Sequence, residues 1–113
     1  MDKLTYYRSL IQKILTEYHQ QFSQACPPDV EMLLAFDEKR DQYLWFQVGW
    51  TPQERIKGIS VHVRLKNDKI YIEEDWTEEG IATDLLREGV SKEDIVLAFH
   101  DPKTRKFTEF AMM

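Results

Sequence analysis

A chain of 113 residues with 42% hydrophobic, 31% charged, and only four Gly and four Pro has the composition of one globular domain, not of a disordered or fibrous segment. Fifteen Lys and Arg against twenty Asp and Glu leave a net charge of −5, which works against gripping a nucleic-acid duplex, because that energy comes mostly from cations replacing phosphate counterions. No run approaches the roughly 20 apolar residues of a membrane helix, so a membrane protein built on helices is excluded.

From the N-terminus, Asp2-Lys3 leads straight into an amphipathic pattern, so no signal peptide is expected. Leu4, Tyr7, Ile11, Ile14, Leu15, Tyr18 and Phe22 recur at helical spacing and predict one apolar face over residues 4–22. Lys3, Arg8, Gln12, Lys13, Glu17 and Gln20 fall mainly on the other side. Cys26-Pro27-Pro28-Asp29 ends the helix, since the residue before a proline is pushed out of the α region. Cys26 is the sole cysteine; it forms no internal disulfide and has no metal-ligand spacing. Together with the missing leader, it predicts a cytoplasmic location.

A strand follows over residues 30–36, a polar turn over 37–42, and a second strand over 43–50, closed by Thr51-Pro52. Between residues 57 and 65 the alternation is clear: Ile59, Val61, Val63 and Leu65 face one side, and Ser60, His62 and Arg64 the other. Asn67-Asp68 supplies a two-residue connection into a fourth strand, 69–75, where Ile70 and Ile72 continue the apolar face. Strands joined by loops this short are antiparallel neighbours.

Thr77 reads as an N-cap, with Glu78 and Glu79 favourable to the helix dipole. The helix runs through Ile81, Leu85 and Leu86 to Gly89, which accepts a left-handed cap conformation. One turn around residues 91–94 then leads into a short strand, 95–99. The predicted fold class is α+β, a single domain over residues 1–113. It comprises a four-stranded antiparallel meander packed on the long N-terminal helix through Ile59, Val61 and Val63, with a short helix and a short strand at the C-terminal end.

Chemistry is hard to find. His19, His62 and His100 lie 43 and 38 residues apart, far from the close pairs that metal sites show. Each reads as a structural or surface histidine. Carboxylates are numerous, and Asp37 and Asp41 suit a turn on their own account. Lys69 with Glu73 is the nearest approach to a metal-nuclease pairing, a pattern too common to carry the claim. Gly49, Gly58, Gly80 and Gly89 stand singly, so no phosphate loop, dinucleotide fingerprint or nucleophile elbow occurs. The expectation is a non-enzyme with no cofactor and no metal.

Two surface features remain. Tyr43 and Trp45 fall opposite Leu44, Phe46, Val48 and Trp50, and Tyr71 opposite Ile70 and Ile72, so both sheet faces carry apolar material. Either Phe99, Phe107 and Phe110 cover the second face, or part of it is an interface patch, with self-association as the consequence. Charge is also unevenly spread. Residues 73–94 hold nine carboxylates against Arg87 and Lys92, a balance of −7. Its densest part, Glu73, Glu74, Asp75, Glu78 and Glu79 around Trp76, is either a helix start with a solvated edge or a surface facing a basic partner. In the second case Glu73, Asp75, Trp76 and Glu79 are the candidate partner-binding residues, with Trp76 as anchor. Glu73 and Asp75 lie outside the expected helix cap. Lys103, Arg105 and Lys106 form the one compact basic cluster, which reads as a solvated turn.

A further pattern runs through the chain. Asp2-Lys3-Leu4 with Tyr7-Arg8, Phe36-Asp37 with Arg40-Asp41 and Tyr43, and Val48-Gly49-Trp50 appear in that order. Trp76-Thr77-Glu78-Glu79-Gly80-Ile81-Ala82, the stretch from Gly89 to His100, and Phe107-Thr108-Glu109-Phe110-Ala111 come after them. This order resembles the XisI-like family, the fdxN element excision controlling factors of cyanobacteria. The resemblance implies an accessory factor in the programmed excision of a DNA element during heterocyst development, where a separate recombinase does the strand chemistry. It also implies a companion XisH-like protein with a restriction-type nuclease fold. The family has no agreed catalytic motif, so no site residue follows from it. Two other readings stand beside this one: an acidic inhibitor of a nuclease partner, and a direct DNA-binding factor using Lys103, Arg105 and Lys106.

Overall fold

Asp2 starts the first helix. Its carboxylate accepts from Thr5 N at 2.8 Å and Thr5 Oγ1 at 3.1 Å, satisfying an amide that the first turn leaves without a partner. Helix α1 (Lys3–Phe22) buries Tyr7, Leu10, Ile11, Ile14 and Leu15 along one side, as the spacing predicts. A 3-10 turn, Ser23–Ala25, comes next, and Cys26 before Pro27 is extended. The computed structural model describes residues 2–105 and 110–111.

Strands β1 (Val30–Asp37), β2 (Gln42–Trp50), β3 (Arg55–Lys66) and β4 (Lys69–Asp75) form the expected antiparallel meander. Asn67 and Asp68, both at positive φ (53° and 63°), make the tight β3–β4 turn. Helix α2 (Ile81–Arg87) ends as predicted at Gly89. Gly89 N donates to Leu86 O and Val90 N to Leu85 O, the paired bonds that a left-handed cap residue allows.

The sheet has five strands rather than four: β5 (Ile95–Leu97) joins the far edge, parallel to β4. The segment carrying α2 is long enough for the crossover that a parallel pair requires. All three residues of β5 are buried, the unbroken apolar run of a strand covered on both faces. A short helix α3 (Pro102–Arg105) comes after it, and Ala111 returns to bridge Val96.

The inner face, towards α1, carries Tyr43, Trp45, Val61, Val63, Leu65, Ile70 and Ile72, all buried in one core with the apolar side of the helix. Ile59 does not join them and is 40% exposed. Strict alternation puts it with Val61, but Trp45 pairs with Val61 and Phe46 with Ile59. Ser60 is thus a bulge residue, and one extra residue puts the two ends of the strand out of step, so that Ile59 lands on the opposite face. Gly49, at φ 153°, sits where a Cβ would come within 2.1 Å of the Asp29 carbonyl oxygen, so this close approach of backbone excludes any side chain.

The outer face is covered at one end only. Tyr71 and Val96 are buried, and Phe110 packs on the core. Trp50 and Ile59 stay exposed beside the half-buried Leu33, Phe46 and Val48. Phe99 is itself 47% exposed, and Phe107, expected to share in the cover, lies outside the described residues.

Three tyrosine hydroxyls reach aspartates: Tyr7 to Asp94 at 2.5 Å, Tyr18 to Asp84 at 2.6 Å and Tyr43 to Asp41 at 2.8 Å. Burial, then the neighbouring carboxylate, pushes the Tyr43 phenol up to about 12. Asp41 also takes a two-pronged bond from Arg8, at 2.9 and 3.3 Å, which ties α1 to the β1–β2 turn. The Arg8 bond holds the Asp41 carboxyl below its ordinary 3.8 despite partial burial. A depressed folded-state value means that this stabilisation is complete above pH 3.8 and disappears as pH falls through the folded value. Asp41→Asn is expected to cost about 2 kcal/mol at neutral pH by breaking a partly buried network. It should also flatten the acid side of the stability profile, as urea midpoints measured from neutral pH down to the acid limit will show.

Candidate functional site

The C-terminal turns of α1 project past the inner face of the sheet. There, α2 and the segment leaving β4 close around them to leave a cleft of about 710 Å³. Its walls are of two kinds. Tyr18, Phe22, Trp45 and Trp76 supply aromatic surface, and Glu17, Glu78, Glu79, Asp84 and Glu88 supply carboxylates, with Arg87 among them.

The aromatics are packed in series. Tyr18 and Phe22, one helical turn apart, are stacked with centroids 5.9 Å apart; Trp45 lies 5.9 Å from Tyr18 and 6.4 Å from Phe22. Trp45 is only 5% exposed, and its indole Nε1 has no hydrogen-bond partner among the described residues. Trp76 is 78% exposed, and its Nε1 donates to Glu74 Oε2 at 3.2 Å. Burial and the bond to Asp84 raise the Tyr18 hydroxyl well above the ordinary phenol value, so it donates throughout the physiological range.

The carboxylates are partly neutralised. Arg87 reaches Glu79 at 2.8 Å and Asp84 at 3.2 Å, and Lys13 reaches Glu88 at 3.4 Å. Glu17 and Glu78 have no ion-pair partner among the described residues. The Arg87–Glu79 and Lys13–Glu88 pairs are exposed and exchangeable. Chemically the cleft suits a planar cation with hydrogen-bonding edges: aromatic faces attract positive charge, and carboxylates accept its hydrogen bonds.

The acidic segment is divided by the structure. Val63 pairs with Ile72 but His62 with Glu74, so Glu73 is a second bulge residue. Its carboxylate pairs with Arg64 at 3.3 Å, and it is not a cleft residue. The same bulge places Asp75 opposite Val61, on the inner face. There Asp75 Oδ2 accepts from Ile81 N at 2.7 Å, and Oδ1 from Thr77 N and Thr77 Oγ1 at 2.9 and 2.6 Å.

The expected Thr77 cap is therefore corrected. The helix begins after Gly80, and Asp75 does the capping that the sequence assigned to its neighbour. Trp76, Glu78 and Glu79 do line the cleft. Sequence reasoning does not single out Tyr18, Phe22, Trp45, Glu17, Asp84 and Glu88 as members of the same site. The one available signal is that Tyr18 and Phe22 continue the helical stripe past the last residue needed to cover the sheet.

Other candidates resolve simply. His62, on the outer face, donates Nε2–H to Gln42 Oε1 at 2.8 Å, and burial lowers its pKa. The half-buried His19 has an Nδ1 without a partner among the described residues, where a plain surface role was expected. The His100 ring lies against Phe99 at 4.6 Å. Among the described residues no group of three His, Cys, Asp or Glu side chains could hold a metal ion, and no helix is long and apolar enough to cross a membrane. Arg105 spends its guanidinium on the carbonyls of His100 and Ala98 at 2.8 and 3.2 Å, which leaves little for a phosphate. Lys106 lies outside the described residues.

Comparison with known proteins identifies the family. Residues 1–112 match the XisI protein family. A crystal structure of the fdxN element excision controlling factor XisI from Anabaena variabilis ATCC 29413 is 43% identical, covers 99% of this chain and 100% of that one, and superposes with a TM-score of 0.88. A XisI-like protein from the same organism is 34% identical over 96% of this chain and 97% of that one, with a TM-score of 0.89. No curated protein matches. The chain belongs to the XisI family.

Asp75 separates capping from surface charge. Asp75→Ala is expected to destabilise the protein by about 1–2 kcal/mol, the cost of a lost cap and an unpaired buried amide. It should also accelerate amide exchange at Ile81 and Ala82. Glu73→Ala, which removes only the bond to Arg64, is expected to cost about 0.5 kcal/mol or less. Equal effects of the two changes in denaturant titrations would show that Asp75 does not hold the helix start.

Proposed function

We propose that this XisI-family chain is a non-catalytic controlling factor in the programmed excision of a DNA element, acting in the cytoplasm through contact with a nuclease-like partner of the XisH type. The observation that carries the reading is the full-length likeness to a protein named as an excision controlling factor. The physical chemistry supports contact over chemistry or DNA grip. The net charge is −5, and the cleft between α1 and α2 gathers carboxylates with aromatic rings. Phosphate would be repelled by such a surface, whereas a basic protein surface would be attracted to it. A domain over the whole of residues 1–113 fits the extent of the family match.

The test takes the purified chain with a XisH-type protein encoded beside it. A complex is expected whose association slows as salt rises. The chain alone should bind duplex DNA no better than about 10⁻⁴ M at physiological salt. A sequence-selective shift of an excision-site duplex by the isolated chain would reject the reading in favour of a DNA-binding factor. Nuclease activity of the partner lost on complex formation would assign the chain as an inhibitor instead.

Self-association belongs to the same proposal, because Trp50 and Ile59 leave apolar surface open on the outer face of the sheet. Sedimentation should show a concentration-dependent dimer that Ile59→Lys weakens. A wild-type chain that remains monomeric at millimolar concentration removes this part.

A further inference from the structure

We infer that the cleft between α1 and α2 receives an arginine side chain carried on a basic segment of the protein partner. This rests on the reading above, that the chain works through contact with a basic protein surface, and it names the chemistry of that contact.

Three observations converge on guanidinium. The first is the wall: Tyr18, Phe22 and Trp76, backed by the buried Trp45, offer aromatic surface beside carboxylates, and a planar delocalised cation stacks on such surface while donating from its edges. Lysine can lie over a ring, as Lys3 does over Tyr7 and Lys66 over Tyr71, but its compact, strongly hydrated ammonium has no plane to stack.

The second is Arg87. The protein's own guanidinium already lies in this cleft, forked between Glu79 at 2.8 Å and Asp84 at 3.2 Å. Its side chain is 59% exposed, so this internal pair is exchangeable. Glu17 and Glu78 remain without an ion-pair partner among the described residues, which leaves carboxylates for a second guanidinium.

The third is Trp45. It lines the cleft at 5% exposure with its indole Nε1 unpartnered among the described residues. A buried donor left without an acceptor is costly to a stable domain, and a peptide entering beside it brings backbone carbonyls. A volume of about 710 Å³ exceeds one side chain and accommodates the flanking backbone as well.

An aromatic–acidic cleft could in principle attract any organic cation, so the probe must distinguish them. The experiment titrates the intact chain with a capped Ser-Arg-Ser-Arg-Ser peptide, its lysine counterpart and spermidine, following by NMR the Thr77 backbone amide and Trp45 indole N–H signals, both from residues that line the cleft. The arginine peptide is expected to saturate, with the lysine peptide about fivefold weaker, the size of one exposed cation–π contact.

Trp76→Ala and Glu78→Gln, both at exposed positions, should each weaken the arginine peptide by about fivefold without disturbing the fold. Arg87→Ala should tighten it by removing the internal competitor. Equal affinity for arginine and lysine peptides, saturation by spermidine alone, or an unchanged affinity in Trp76→Ala overturns the inference.

The two levels fail separately. If the nuclease-like partner binds Trp76→Ala as tightly as the wild type, the arginine cleft is wrong and the accessory role stands. If the peptide titrates as expected but no partner complex forms, the cleft stands and the choice of partner is wrong.

Discussion

The docking of α1 on the inner face of the sheet decides most of what else the molecule can do. Ile11 and Leu15 of the helix, and Val61, Val63, Ile70 and Ile72 of the sheet, are almost completely buried, and each is worth roughly 1.5–3 kcal/mol of transfer free energy. Apolar packing is not directional, so it does not by itself fix how the helix lies. Polar contacts do that. Arg8 clamps to Asp41 at the β1–β2 turn, Tyr7 to Asp94 before β5, and Tyr18 to Asp84 on α2. Three partners far apart in sequence meet one helix, and their geometry sets its rotation and translation together.

That placement has a consequence at the far end. The helix is 20 residues long, near 30 Å, and its last turn projects past the buried part of the sheet, with Phe22 44% exposed. The overhang leaves Tyr18 and Phe22 facing Trp45 on one side and the segment after β4 on the other, and the cleft is the space so enclosed. The two bulges act on the same region. The extra residue at Ser60 turns Ile59 outward, and the one at Glu73 turns Asp75 inward, where it can fasten α2. Without them the acidic segment would run on as ordinary strand edge, and Trp76 would not stand at the mouth of the cleft.

Much of this was legible in sequence. The α1 stripe, the four antiparallel strands, the Asn67-Asp68 turn and the Gly89 cap follow from local rules, because period and turn chemistry depend on residues within a few positions of one another. The features that could not be read depend on distant partners. The fate of Ile59 turns on which residue of β2 it meets, and alternation has no means of reporting an inserted residue. Asp75 looked like one more charge in a run; its role depends on Ile81 and Thr77 turning back to it. The fifth strand was visible as Ile95-Val96-Leu97, but its attachment beside β4 in parallel required knowing that α2 crosses over. Similarly, of the candidate partner-binding residues read from sequence only Trp76 and Glu79 line the cleft, and most of its wall arrives from α1, β2 and α2, which only tertiary packing brings together.

The acidic cluster is where the demands of folding and of recognition separate. Like charges gathered this closely raise the energy of the compact state, and the fold offsets part of that cost with Arg64 on Glu73, Arg87 on Glu79 and Asp84, and Lys13 on Glu88. Asp75 and Asp84 have structural partners that explain them fully: a helix start and the Tyr18 hydroxyl. Among the described residues Glu17 and Glu78 have no such partner, and neither does the exposed face of Trp76. Nothing in the packing of this chain requires an indole at 78% exposure between two carboxylate-bearing segments. A domain stabilised by covering one sheet face with one helix could carry a plain polar loop after β4. Glu17, Glu78 and Trp76, which no fold contact explains, line the cleft beside the structural Tyr18, Trp45 and Asp84, which is why the cleft, rather than the basic turn or any histidine, is where recognition is expected.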